Sequence, residues 1–361
     1  MNKKIKNLID KIHTQKAFLS FELTPPLSAD TSEFIATIKS ALAQNALSEN
    51  LDSQKMPTLS EAIDAFVCTD SPLARFKPSS ILSSIKLQNA LQKPLICTLS
   101  MRDRNSIALC GEILGANEFD LRAFLALTGD PIKLGDCAES KGVFEENSLK
   151  LTRIIADLNS GIAINGKPLI TRPREIFAFS TINSYANNPA SLKTKLKRKL
   201  TNAPICAFFT QPIFAKQSAE FLLEALEEAK CEIINDANKK REEASSQHFT
   251  QESNQNLPQE CAQNFANANQ NTQIIFGFFP VLSYRVAVFL RDKLPGVYIP
   301  KDWLERLESA SAKGKEYERK IGLELSRKVW EDLRTLHPKI HFMSSNNIAL
   351  LGEFVRLPKN P

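Results

Sequence analysis

Eight short, β-rich apolar runs recur along this chain with longer helix-like stretches between them, and no other feature restricts its fold as severely. They are AFLSFEL at 17–23, IDAFVCT at 63–69, PLICTLS at 94–100, AFLALT at 123–128, EIFAFS at 175–180, PICAFFT at 204–210, QIIFGFF at 273–279 and KIHFMS at 339–344. Between them, stretches such as SSILSSIKLQNALQ, SIALCGEILGANEF and AEFLLEALEEAK carry apolar residues three and four apart, the spacing of a one-sided helix. Strands that alternate with helices imply repeated βα units and a parallel sheet. Eight such units close most naturally into a (β/α)8 TIM barrel, and 361 residues suit that α/β fold. A doubly wound open sheet is the alternative architecture. It would normally carry GxGxxG after the first strand, where this chain has FELTPP.

Two segments depart from the repeat. Residues 235–272 are rich in Asn, Gln, Glu and Ser and nearly empty of aliphatic side chains, so they are expected to form a disordered surface insertion. The segment 295–336 holds two helical patterns before the last strand instead of one, which predicts an extra helix at a barrel end. The expected organisation is a single barrel over 1–361 with its core at about 17–352.

Composition narrows the function. The chain is 43% hydrophobic and 24% charged, an ordinary globular balance, and its net charge of +6 comes from interspersed signs. Neither nucleic acid nor an anionic membrane is an expected partner, whereas anionic small molecules are compatible. The seven cysteines form no CxxC pair, and several sit in apolar runs, so they read as thiols of a reducing compartment. The four histidines show no HxH or HExxH spacing, and no bound metal is expected. The N-terminus MNKKIKNLIDKIHTQK never reaches a signal-like apolar core, and no stretch approaches the roughly 20 apolar residues of a membrane span. A cytoplasmic location is expected.

In a TIM barrel, chemistry belongs to the strand C-termini and the loops behind them. After the first strand stands Glu22, whose carboxylate, if partly desolvated, could serve as a general acid; alternatively it is a solvent-facing rim residue. The second strand ends Cys68-Thr69-Asp70. The third runs from Thr98 through Ser100 into Arg102-Asp103-Arg104-Asn105, where the arginines could hold phosphate while Asp103 orients them or caps the next helix. The fourth ends Thr128-Gly129-Asp130, a second carboxylate at the same face or an Asx turn before proline. Gln211 after the sixth strand could read the edge of a heterocycle, and Tyr284 after the seventh could stack on a flat ring. Each of the last two is otherwise a turn or packing residue. The run KTKLKRK at 193–199 is by default a solvated helix face.

Taken in order, FELTPP, LSMRDRN, IALCGEILGAN, LALTGDP, KRKL followed by FFTQPIF, and GFFPVLSYRVAVFLRDKLPGVYIPKDWLERL resemble the methylenetetrahydrofolate reductases. The likeness runs from about residue 17 to 352. It is nearest to the reductase domains that some bacteria fuse to a homocysteine methyltransferase. It implies a non-covalent FAD in the barrel mouth, reduced by NADH or NADPH and reoxidised by 5,10-methylenetetrahydrofolate, in support of methionine synthesis. On the matching positions, Glu22 falls on the general acid and Asp130 on the carboxylate between flavin and pterin. Gln211 and Tyr284 fall on substrate contacts. Thr69, Thr98, Ser100, Asp103, Thr128, Asn183 and Lys199 fall on the flavin side, Lys199 near the ribityl-phosphate portion. Thr98 and Thr128 stand where one branch of the family has His and Arg, Leu23-Thr24 replaces an aromatic pair, and STINSYANNP departs from the usual adenosine-binding patterns. Two other classes fit the residues as well. One is a flavin-dependent barrel acting on another electrophile. The other is a catalytically silent barrel that binds a partner through the insertion or the 193–199 helix. A homo-oligomer is compatible with each.

Overall fold

A computed structural model describes residues 2–43, 58–137, 139–246, 265, 267–294 and 296–355. Eight parallel strands, β1 (Phe18–Leu23), β2 (Ala65–Cys68), β3 (Leu95–Ser100), β4 (Ala123–Leu127), β5 (Phe177–Ile182), β6 (Ala207–Pro212), β7 (Gln273–Phe278) and β8 (Lys339–Phe342), pair in chain order and close into a barrel through β1 and β8. All eight expected runs are strands. β5 and β6 begin two and three residues later than the apolar runs suggested, because Glu175, Ile176 and the Pro204–Cys206 segment form the approach to the barrel.

Strand alternation sorts the side chains into two cores. Phe18, Val67, Ile96, Leu125, Phe179 and Phe209 fill the barrel interior, while Phe21, Phe66, Leu99, Phe208, Phe276 and Phe342 pack outward under the helices. The N-terminal helix Asn2–His13 carries Ile5, Leu8, Ile9 and Ile12 on one face and packs them into the interior cluster. It closes the barrel end at which the strands begin. Buried Lys339 points into that end and donates through Nζ to the carbonyls of Thr14 and Lys16 at 2.5 and 3.1 Å.

Five of the helices that follow strands start on Asn or Ser caps. Ser79, Asn105, Asn147, Asn188 and Ser283 each accept a backbone N–H of the first turn. The segment 295–336 does hold two helices, Lys301–Ser311 and Lys315–Leu336, and a third, Tyr284–Lys293, precedes them after β7.

The reading of 235–272 as structureless is corrected at both of its ends. The helix Lys216–Ser246 runs well into it, with Ile233 buried just before. At the far end Asn269 is a buried staple: its side chain accepts the Ile205 N–H at 2.7 Å and donates to the carbonyls of Leu200 and Ala203. Thr272 is buried beside it and donates to the Ile205 carbonyl at 2.6 Å. Polar composition was a poor guide there because these polar groups satisfy backbone, which a composition argument does not see. Residues 247–264 of that segment lie outside the described residues. Among the described residues no helix is long and apolar enough to cross a membrane.

Candidate active site

The strand C-termini form one rim, and each sequence-derived candidate can be located against it. Glu22 occupies the inward-facing register of β1 above Ser20, with 27% of its side chain exposed. Its Oε2 lies 3.7 Å from Nε2 of His341 on β8, and Nδ1 of that imidazole lies 3.0 Å from Ser20 Oγ. Ser20 and His341 are register partners and both are buried; the ring also meets Phe209 edge-on at 5.2 Å. Histidine spacing in the sequence singled out no residue. The signal that could have found His341 is strand parity, which puts Ser20, Glu22 and His341 on the inner wall together.

Asp130 sits at the end of β4, where Gly129 turns at φ +99 with its Cα against the Arg102 side chain. One carboxylate oxygen of Asp130, Oδ2, accepts the Leu73 N–H at 2.7 Å, so the loop after β2 arches over the rim to meet it. That loop is strained: Ser71, Leu73 and Ala74 all have positive φ without being glycine. Gly135 packs on it so closely that a Cβ would lie 2.0 Å from the Ala74 carbonyl oxygen.

The third strand's RDRN segment is organised by carboxylates. Arg102 forks onto Asp103 at 2.8 and 2.6 Å, and Arg104 bonds Asp70 at 2.9 Å and forms an ion pair with Glu112 at 2.8 Å. Asp70, buried, also accepts the Ser100 N–H and hydroxyl at 3.0 and 2.9 Å. Of the two roles weighed for Asp103, helix capping falls away, because Asn105 accepts the Ala108 N–H, and Asp103 instead orients Arg102. The two arginines, offered by the sequence as possible phosphate holders, are each paired with protein carboxylates here. Asp70, which sequence reasoning noted only as a strand end, is what ties β2, β3 and Arg104 together.

Thr69, Thr98 and Ser100 are inward-register hydroxyls near the rim, all buried. Thr69 donates to Thr24 Oγ1 at 3.1 Å. Thr24 is gripped through its own backbone by Asn346, which accepts its N–H and donates to its carbonyl, stitching the first and last loops. Thr128 is exposed and accepts the N–H of Ser148, at the start of the helix Ser148–Asn159.

Gln211 reaches the rim through an irregularity in β6, where the register with β7 shifts between Phe209 and Pro212. Gly277 of β7 admits it: a Cβ there would lie 2.4 Å from the Thr210 carbonyl oxygen and 2.9 Å from that of Gln211. Thr210 Oγ1 fastens the bulge by accepting the Gly277 N–H at 2.8 Å and donating to the Gln211 carbonyl at 2.7 Å. Asn183, after β5, lies against Gly296, and Tyr185 beyond it stacks on Tyr298 at 4.9 Å. Tyr284 opens its helix with its N–H on Glu318 and packs on the outer core.

Lys199 is the anomalous cation. Its Nζ lies 2.8 Å from Ser180 Oγ, 2.9 Å from the Thr181 carbonyl and 3.5 Å from Ser148 Oγ, and among the described residues no carboxylate pairs it. Burial, helped by Arg198 and Lys195, pushes its amine down to about 8. An amine held among hydroxyls beside a helix start is a ready anion site. Burial holds the Cys68 and Cys97 thiols protonated, raising Cys97 to about 12. Among the described residues no group of three or more His, Cys, Asp or Glu could hold a metal ion.

The fold and rim therefore define an α/β barrel with carboxylates, an amide and a buried cation about its strand ends. No protein-family model matches the chain, and no curated protein matches it in sequence. Among solved structures it is similar to an uncharacterised protein from Clostridium thermocellum described as binding two copies of 5-methyl-5,6,7,8-tetrahydrofolic acid. That match has 13% identity over 97% of this chain and 96% of that one, with a TM-score of 0.54. An EDTA monooxygenase from Chelativorans sp. BNC1 matches at 10% identity over 94% and 92% of the two chains, with a TM-score of 0.47. At 13% identity the likeness to the first of these shows the fold alone.

Proposed function

We propose that this protein reduces 5,10-methylenetetrahydrofolate to 5-methyltetrahydrofolate, using FAD and NADH or NADPH and so supplying methyl groups for methionine synthesis. The observation that carries the reading is the convergence of Glu22, Asp130 and Gln211, far apart in sequence, on one rim of a closed barrel. The order of motifs shared with methylenetetrahydrofolate reductases supports it. So does a full-length barrel likeness to a protein described as binding a reduced folate.

The residues present suit a flavin dinucleotide. Lys199, with hydroxyl neighbours and no carboxylate, fits a phosphate, and the buried hydroxyls of Thr69, Thr98 and Ser100 line the rim at β2 and β3. Thr69, Thr98, Ser100, Asp103, Thr128, Asn183 and Lys199 would hold the FAD, which when bound supplies the ring that accepts and donates hydride. Glu22 holds the proton that opens the imidazolidine ring to the iminium, and buried His341, itself fixed by Ser20, sets that carboxyl's position. Asp130 has one oxygen on Leu73 N–H, and its Oδ1, with no hydrogen bond among the described residues, would accept from a pterin N–H. The bulge fixes the Gln211 backbone, and its side-chain amide would pair with the pterin's donor and acceptor edge. Tyr284 is assigned to the substrate side as a packing surface.

The test is reconstitution with FAD followed by the two half-reactions under anaerobic conditions. Bound flavin that methylenetetrahydrofolate fails to reoxidise would move the assignment to another electrophile, and a chain that binds no flavin would move it to a binding barrel.

A further inference from the structure

A cavity of about 170 Å³ opens at the other end of the barrel, where β1 and β8 begin. Helices Lys315–Leu336 and Ile348–Val355 supply Trp330, Arg334 and Val355 to its wall, β8 supplies Ile340, and the N-terminal helix and the approach to β2 supply Lys11 and Asp64. Phe18, which lines it, stands four residues before Glu22 on β1, or about 13 Å at ~3.3 Å per residue. The cavity therefore shares no residue with the rim.

Its charges do not cancel. Asp64 is fully engaged, with Oδ1 on Lys11 Nζ at 2.6 Å and Oδ2 on the Leu19 N–H at 3.0 Å. Arg334 lies over the Trp330 ring, 5.7 Å from its centroid, and has neither an ion pair nor a hydrogen bond among the described residues. A guanidinium left unpaired on an apolar wall favours a carboxylate, which it can hold with two parallel hydrogen bonds. The rest of the wall is largely apolar, with Phe18, Trp330, Pro338, Ile340 and Val355, while Lys11 is already held by Asp64. A cavity of roughly 150 Å³ is known to hold benzene, so the space matches one ring or a branched chain.

We propose that this cavity binds a small monocarboxylate with an aromatic or branched aliphatic body, its carboxylate on Arg334 and its apolar part against Trp330, Ile340 and Val355. Isothermal titration calorimetry of the full chain with benzoate tests this, with benzyl alcohol as a neutral probe of the same size. Benzoate should bind one to one and about tenfold or more tighter than the alcohol, the margin of a charge-assisted pair. Arg334→Gln should bring benzoate down to the level of the alcohol, with the unliganded melting temperature lowered only slightly by loss of the contact over Trp330. Val355→Trp, which fills the space, should abolish both titrations. Equal binding of the two probes, no benzoate heat at all, or benzoate binding that survives Arg334→Gln (the sign of occupancy at the rim instead) would each overturn the assignment.

Discussion

Replacing Gly277 by alanine probes how the fold builds the rim. The backbone φ of Gly277 is not in the left-handed region, so alanine can adopt its conformation and the obstacle is space alone. The added methyl would stand 2.4 Å from the Thr210 carbonyl oxygen and 2.9 Å from that of Gln211, both backbone atoms that cannot rotate away. Relieving such a contact by shifting a packed strand costs about 1–3 kcal/mol. Spreading the strands would also stretch the Gly277 N–H bond to Thr210 Oγ1, now 2.8 Å, whose loss costs about 1 kcal/mol. Restricting the unfolded chain returns up to about 1 kcal/mol, leaving a net loss of about 1–3 kcal/mol. Urea denaturation followed by circular dichroism measures that loss directly. The folate half-reaction should slow while flavin reduction by NAD(P)H is kept, since only Gln211 is displaced. A variant as stable as the parent, or one in which both half-reactions slow equally, would refute the view that Gly277 exists to seat the Gln211 bulge.

Other outcomes follow from the same geometry. Lys199→Met should weaken FAD much more than riboflavin, which lacks the phosphates, as read by flavin fluorescence titration. In the flavin-free protein, burial lowers the Lys199 amine from 10.5 to about 8, so the unfolded chain binds that proton more tightly and stability gains with rising pH across this interval. Lys199→Met should remove that gain, and urea titrations at pH 7.5 and 9.5 check it. Asp70→Ala strands Arg104 and both Ser100 donors; since Arg104 keeps Glu112, a loss of about 3 kcal/mol is expected from the same denaturation assay.

The strands were legible because apolar runs alternate with helix periodicity, and with eight of them the barrel and its strand-end rim follow. What the sequence hid has specific causes. The N-terminal helix is dense in lysine, and only its Ile5, Leu8, Ile9, Ile12 face reveals that it plugs the barrel. Asn269 and Thr272 looked like solvent residues, yet they satisfy buried backbone groups of the β6 approach. Asp103 and Asn105 are equivalent caps on paper, and only the fork of Arg102 decides between them. His341 became a site candidate once β8 closed on β1, a pairing between residues 321 positions apart. Gln211 was visible as a residue, but the bulge that aims it depends on a glycine in the next strand.

The central claim is that Glu22 supplies the proton in reduction of a folate-bound one-carbon unit, and rapid-mixing spectroscopy of Glu22→Gln tests it most directly. The variant, loaded with FAD and reduced anaerobically by NAD(P)H, is mixed with methylenetetrahydrofolate. The account predicts flavin content and bleaching like the parent's, with folate-dependent recovery of the flavin spectrum slowed by roughly a hundredfold or more, the usual share of a general acid. Recovery at the parental rate would contradict it.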